Sequence, residues 1–172
     1  MPLIREGRFT ADDWVRPDPA QGDLAGEAAS AKLLVPLSVL TEQGMALIGA
    51  GRVLGVELSN DVDPDALAPW FDRLQLISVL FPKSADGRGF SIATRLRRLG
   101  YKGELRATGH LIADQYTLAR SCGFDTVEIS EQQAQRQPEA HWVEAERAIS
   151  LAYQRGYTGR FQNILTARWS DS

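Results

Sequence analysis

Apolar and polar residues come in blocks along this chain, and the blocks repeat. Between Leu76 and Ile129 an apolar run is followed by a Gly-rich loop, an amphipathic segment and a second extended run, after which the cycle recurs. Leu76 to Phe81 is almost wholly apolar, as strands covered on both faces of a parallel sheet are. A helix is expected from about Phe90 to Leu99, with Ile92, Leu96 and Leu99 on one face, Arg95, Arg97 and Arg98 around the other, and Gly100 as its stop. A strand from Glu104 to Thr108 follows. Next come a helix from about Leu111 to Cys122 (Ile112, Tyr116 and Ala119 inward) and a strand from Asp125 to Ile129.

The same grammar extends upstream. Arg52 to Leu58 reads as a strand. Asp63 to about Leu74 reads as a helix, with Pro64 at the first helical position behind an Asp63 cap. Leu33 to Leu37 is a short apolar run in which Pro36 cannot donate to a ladder, so it is an edge strand or a strand end. Ser38 is the expected cap of a helix through about Gly49. Downstream, the polar stretch from Ser130 is a short helix or a loop. A final helix from about Pro138 to Tyr153 carries Trp142, Ala145 and Ile149 at helical spacing.

The predicted architecture is an α/β fold. It is a mostly parallel sheet of four to five strands built from successive βα units, either an open sheet or a half-barrel. An N-terminal β arm and a C-terminal helix complete it. Residues 1–32 form the arm and a linker, 33–156 the α/β domain and 157–172 a tail whose Phe161, Ile164, Leu165 and Trp169 are apolar enough to dock. The arm pairs Pro2–Arg5 with Arg8–Phe9 around Glu6-Gly7, and Trp14-Val15 continue it. It has little core of its own and must pack on the main domain or on a partner chain, a homodimer being one such arrangement.

Composition narrows the function classes. The net charge of −3 offers no general electrostatic case for nucleic acid or anionic membrane. The longest apolar runs fall short of a membrane span. The N-terminus is charged from residue 5 without an apolar signal core, so the cytoplasm is the expected location. One cysteine excludes an intrachain disulfide and a cysteine-based metal site, and with two histidines a multi-histidine metal site is not expected. No metal site is expected.

Ligands of parallel α/β folds bind at the carboxyl ends of the strands. The sequence places Glu57, Ser59 and Asn60 there, then Lys83, Ser84, Asp86, Arg88 and Ser91, then Arg106, Thr108 and His110, and finally Glu128 and Ser130. The loop from Pro82 to Ser91 is the most informative piece. A helix N-terminus with Lys83 and Arg88 beside it suits an anion, and Asp86 would order the loop. Arg106 is expected at the rim beside Glu57, Asp86 or Glu128, as a ligand or in an ion pair. His110 is the one candidate acid or base. The candidate ligand-binding set is therefore Lys83, Asp86, Arg88, Arg106 and His110. Cys122, at a helix end without a resolving cysteine, is expected to be inert packing. The loop is neither a Walker loop nor a dinucleotide fingerprint, and no cysteine set for haem or iron–sulfur is present, so no NAD, flavin, haem or iron–sulfur cofactor is named by a motif.

Several stretches together carry a resemblance: Phe81-Pro82-Lys83, Asp86-Gly87-Arg88-Gly89-Phe90-Ser91, Gly103-Glu104-Leu105-Arg106-Ala107, Asp114-Gln115 and Arg120-Ser121-Cys122-Gly123-Phe124-Asp125. With them the chain resembles the bacterial domain-of-unknown-function 934 family, from about Leu33 to Tyr153. The resemblance implies an accessory protein or oxidoreductase of assimilatory sulfite reduction, because genes of the family tend to lie beside sulfite reductase genes, and it implies sulfite reductase as a partner. It brings no catalytic residues. Two alternatives stand beside an oxyanion-binding accessory protein. One is an oxidoreductase that takes flavin or nicotinamide at the same rim without a motif. The other is a non-catalytic interaction subunit of sulfite reductase.

Overall fold

The computed structural model describes residues 1–17 and 32–158. The linker 18–31 and the tail from 159, with its aromatic residues, lie outside the described residues. Eight strands form one sheet: β1 (Leu3–Arg5), β2 (Arg8–Thr10), β3 (Trp14–Val15), β4 (Lys32–Pro36), β5 (Val53–Leu58), β6 (Leu74–Phe81), β7 (Glu104–Gly109) and β8 (Thr126–Glu128). Their order is β2-β1-β8-β7-β6-β5-β4-β3. From β3 to β8 every neighbouring pair is parallel and in sequence order. Only β1 on β8 and β2 on β1 are antiparallel.

The expectation of four to five strands is therefore corrected to eight mixed ones. The arm supplies the difference. Its hairpin extends one edge of the sheet through β8, and Trp14-Val15 extend the other edge through β4. Each otherwise open edge carries a row of unpaired N–H and C=O groups, so the arm's short strands gain partners there that they lack alone.

The sheet is curled into a half-barrel. β3 and β8 are five strand spacings apart, about 24 Å in a flat sheet. Arg16, directly after β3, nevertheless bonds Glu128 of β8 at 2.8 and 2.9 Å. One side chain bridges that gap only if the sheet bends round on itself.

Helices cover the convex face: α1 (Leu37–Gly49), α2 (Arg88–Arg98), α3 (Ala113–Ser121), α4 (Glu131–Arg136) and α5 (Glu139–Thr158). The outward-facing strand residues Leu33, Val35, Leu54, Val56, Ile77, Val79, Leu105, Ala107 and Val127 are buried beneath them with Leu40, Leu96, Tyr116 and Trp142. Ile92 and Leu96 of α2 point inward as predicted, whereas Ile112 is exposed and α3 turns Ala113, Tyr116 and Ala119 to the core. α1 begins one residue before the expected cap, so Ser38 lies inside its first turn. The segment after Asp63 is a 3-10 turn over Pro64–Trp70 rather than a long helix. Pro69 inside it removes a backbone donor and crowds the preceding turn. Pro36 is the last residue of β4, which pairs on both sides, so the strand-end alternative holds and the edge alternative does not. Ser130 caps α4, which decides for a short helix there.

Arg97 is not part of a solvated basic face. Its guanidinium bonds the carbonyls of Tyr101, Gly103 and Gly123 and the Asp125 carboxylate at 2.6 Å, tying the end of α2 to the loops that enter β7 and β8. No helix among the described residues is long and apolar enough to cross a membrane.

Candidate functional site

Two polar regions are built on the parallel strands, one at their carboxyl ends and one on the concave inner face. The first is the rim. Asp86 is its organiser: one carboxylate accepts from Asn60 Nδ2 at 2.8 Å, from the Arg88 backbone N–H at 3.2 Å, and from Arg88 Nε and Nη2 at 3.0 and 2.7 Å. The Arg88 hydrogen bond is the main reason Asp86 is held well below the usual carboxylate range, and Arg88 is raised in return. The loop is tied to the next unit by Gln115 Nε2, which donates to the Ser84 carbonyl at 2.7 Å, and by His110 N–H, which donates to the Phe81 carbonyl at 2.9 Å. Lys83, Arg88 and His110 are exposed on this rim. Arg88 spends Nε and Nη2 on Asp86, which fixes the plane of its guanidinium at the first turn of α2.

Arg106 stands apart from the other four predicted residues. It is fully buried and points into the concave face, where it meets Asp12 at 2.7 and 3.0 Å, Glu128 at 3.2 Å and Glu104 at 3.4 Å. Of the neighbours anticipated for it, Glu128 is there and Asp86 is not. The alternation of β7 explains this. Glu104, Arg106 and Thr108 share one face, and Leu105 and Ala107 turn to the helices. Across the inner face the register aligns Pro36, Glu57, Ser78, Arg106 and Thr126 in one row, and Leu80, Thr108 and Glu128 in the next.

This inner face is the second polar region. The segment after β2 crosses it and inserts Asp12, Trp14 and Arg16. Asp12 forks with Arg106, and Arg16 bonds Glu128 through two nitrogens and Glu57 at 3.0 Å. Trp14 lies over Gly55, where a Cβ would sit 2.9 Å from the indole. Ser78 and Thr108 share a 2.7 Å hydroxyl contact beneath the ions, and Thr126 bonds Glu104. Burial alone would raise the Asp12 carboxyl, but the hydrogen bond and charge of Arg106 outweigh it, and its pKa falls below the ordinary value. Burial likewise opposes the charge on Arg106, and its carboxylate partners override it.

The sequence does not show the roles of Asp12, Arg16, Glu104 and Ser78; it offers Glu57 and Glu128 only as alternative neighbours of Arg106, and Thr108 as a strand-end residue. One signal pointed to them: polar residues at every second position of β7 and β8, with a lone Ser78 inside an apolar strand, mark a polar inner face. Nothing local pointed to Asp12 and Arg16, whose partners lie far along the chain. Cys122 is half-buried against the core at the end of α3.

The chain matches the family described as "Bacterial protein of unknown function (DUF934)" over residues 55–162, and it belongs to that family. No curated protein matches it.

Proposed function

We propose that this DUF934 protein is a cytoplasmic accessory protein of assimilatory sulfite reduction that holds a sulfite-like oxyanion at the rim formed by Lys83, Arg88 and His110, with Asp86 as the group that fixes Arg88. The carrying observation is the state of these cations. Among the described residues Lys83 has no carboxylate partner, and Arg88 is locked on Asp86 through Nε and Nη2, which leaves Nη1 for a ligand. A planar guanidinium held in advance loses less freedom on binding an oxyanion than a loose one. The positive end of α2 adds to the attraction. The pathway rests on the resemblance, which implies a gene neighbourhood beside sulfite reductase; the matched family is itself described as of unknown function.

Arg106 has no part in this reading, because its charge is already met by three carboxylates inside the half-barrel. The test is thermal melting with sodium sulfite, sulfate and phosphate at matched ionic strength, on the wild-type protein and on Lys83→Ala and Arg88→Ala. Saturable stabilisation by sulfite that weakens in both variants is the expected result. Melting curves that ignore all three anions, or respond equally in the variants, would overturn the assignment. Titration of the same samples with flavin and nicotinamide, followed by absorbance and fluorescence, tests the redox-cofactor alternative.

A further inference from the structure

The concave face of the half-barrel carries the inward-pointing side chains of the parallel strands, and beside the buried apolar Leu34 and Leu76 it holds a cluster of ions built on Glu57, Arg106 and Glu128. Buried ion pairs are weak contributors to stability, since well-packed apolar residues of similar volume serve as well or better. Arg106 shows the arrangement is imperfect as a purely structural one: its Nε is buried and has no hydrogen-bond partner, although the residue is 0% exposed. A buried donor without a partner costs free energy that a core selected only for packing would avoid.

The filling joins the sheet by a short backbone ladder. β3 pairs with β4 only through Trp14 with Lys32 and Val15 with Leu33, and Val15 is 40% exposed. Side chains hold the segment: Asp13 pairs with Lys32 at 2.6 Å, Trp14 lies against Lys32 and Gly55, and Asp12 and Arg16 reach the polar inner face. Asp12 presents a carboxylate to Arg106, and Arg16 presents a guanidinium to Glu128 and Glu57.

We propose that the concave face is a binding site for a small zwitterion, a basic amino acid or a molecule of like charge pattern, and that Asp12 and Arg16 occupy it as an internal stand-in. The charges select this class. With the segment in place, Arg5, Arg16 and Arg106 face Asp12, Glu57, Glu104 and Glu128. Remove Asp12 and Arg16 together, and two arginines face three carboxylates. A bare oxyanion entering that space meets an excess of negative charge. A ligand must bring a cation for Glu57 and Glu128 together with its carboxylate for Arg106. The register spaces Glu57 and Arg106 by two strands, about 10 Å, which suits a molecule of amino-acid size. Ser78 lies between them, and its hydroxyl contacts Thr108 in the next row. This site is separate from the rim and does not depend on it.

The test uses the full chain with L-arginine as the probe, and sodium acetate and guanidinium chloride as half-probes at matched ionic strength. Binding is read by thermal shift and by calorimetry on the wild-type protein and on the double variant Asp12→Ala/Arg16→Ala. The closed segment lowers apparent affinity by the fraction of open molecules, so vacating it tightens L-arginine binding by about tenfold or more. Acetate and guanidinium each bind the vacated site more weakly than L-arginine. Arg106→Met in the vacated background abolishes the response. Equal responses in wild type and double variant, or a response that survives Arg106→Met, overturn the proposal. Should the double variant fail to fold, Asp12→Ala alone decides it. Acetate must then recover melting temperature that chloride does not, and failure to do so removes the carboxylate subsite and the proposal with it.

Discussion

Asp12 and Arg106 are 94 residues apart in the chain and face each other through two N–H···O contacts of 2.7 and 3.0 Å. The pair joins the arm to the middle of the sheet, and Glu128 and Glu104 share the same guanidinium. Removing either partner leaves a buried charge short of its counter-ion. Arg106→Met, which strands Glu128 with Arg16 alone, is expected to cost about 3–5 kcal/mol. Asp12→Ala is expected to cost less, about 1–3 kcal/mol, because two carboxylates remain on Arg106. Urea unfolding of both single variants and the double variant measures this. Costs that add without coupling would show that the pair does not act as a unit.

The same contact contributes to the acid limb of stability, alongside the lowered carboxyls of Asp61, Asp65 and Asp86. The Asp12 carboxyl is lowered in the folded state, because Arg106 outweighs the opposing effect of burial. Its contribution is complete above the unfolded value of about 4 and is lost as pH falls through the lower folded value. Wild-type stability is expected to decline below about pH 4, and Asp12→Asn to flatten that decline. Chemical denaturation at a series of pH values checks both slopes.

Tyr116 governs an alkaline limb. Burial pushes its phenol up to about 12, and its hydroxyl oxygen accepts the Gly7 backbone N–H at 3.1 Å. A raised folded pKa contributes stability that is whole below about pH 10 and lost as pH rises through the folded value. Ultraviolet titration is expected to show two late-ionising tyrosines, Tyr101 being raised by burial as well, and to lose one of them in Tyr116→Phe. That variant also leaves Gly7 N–H without its acceptor, at about 1 kcal/mol. A tyrosinate titration unchanged by Tyr116→Phe would contradict the assignment.

Gly109 ends β7 and hands the chain to His110. Its φ is +118°, and a Cβ there would lie 2.5 Å from the Phe81 carbonyl oxygen. Backbone on backbone has nowhere to yield. Gly109→Ala is expected to destabilise by about 2–4 kcal/mol and to break the His110–Phe81 hydrogen bond. Melting and amide exchange at residues 109–111 report it; unchanged protection there would refute the close approach.

Arg97 and Arg98 are neighbours on α2 with different environments, Arg97 tied to loops and Arg98 exposed. Arg97→Ala withdraws donors from three carbonyls and one carboxylate, at an expected cost of about 1.5–3 kcal/mol. Arg98→Ala on the exposed neighbouring position is expected to change stability by less than about 0.5 kcal/mol. Similar losses in the two variants would mean that Arg97 is no more than a surface charge.

What the sequence determined by itself was local. Apolar runs of strand length, helical spacing such as Ile92 with Leu96, and glycine stops are decided by neighbours within one or two turns, and the βα units from β6 to β8 were legible on that basis, whereas the 3-10 turn between β5 and β6 was not. The Asp86–Arg88 contact at the rim is local too, two residues apart, and so could be anticipated. Tertiary structure alone decided the rest. Whether the sheet stays open or curls depends on accumulated strand twist and on contacts between its ends. Those ends meet through Arg16 and Glu128, 112 residues apart. Likewise an arginine inside a strand is equally consistent with an open rim and a closed interior until its counter-charges arrive. For Arg106 they come from Asp12, Glu104 and Glu128, on three different segments. Ion pairing is long-ranged in sequence and leaves no periodic trace, so the filled half-barrel became visible only when the chain was folded.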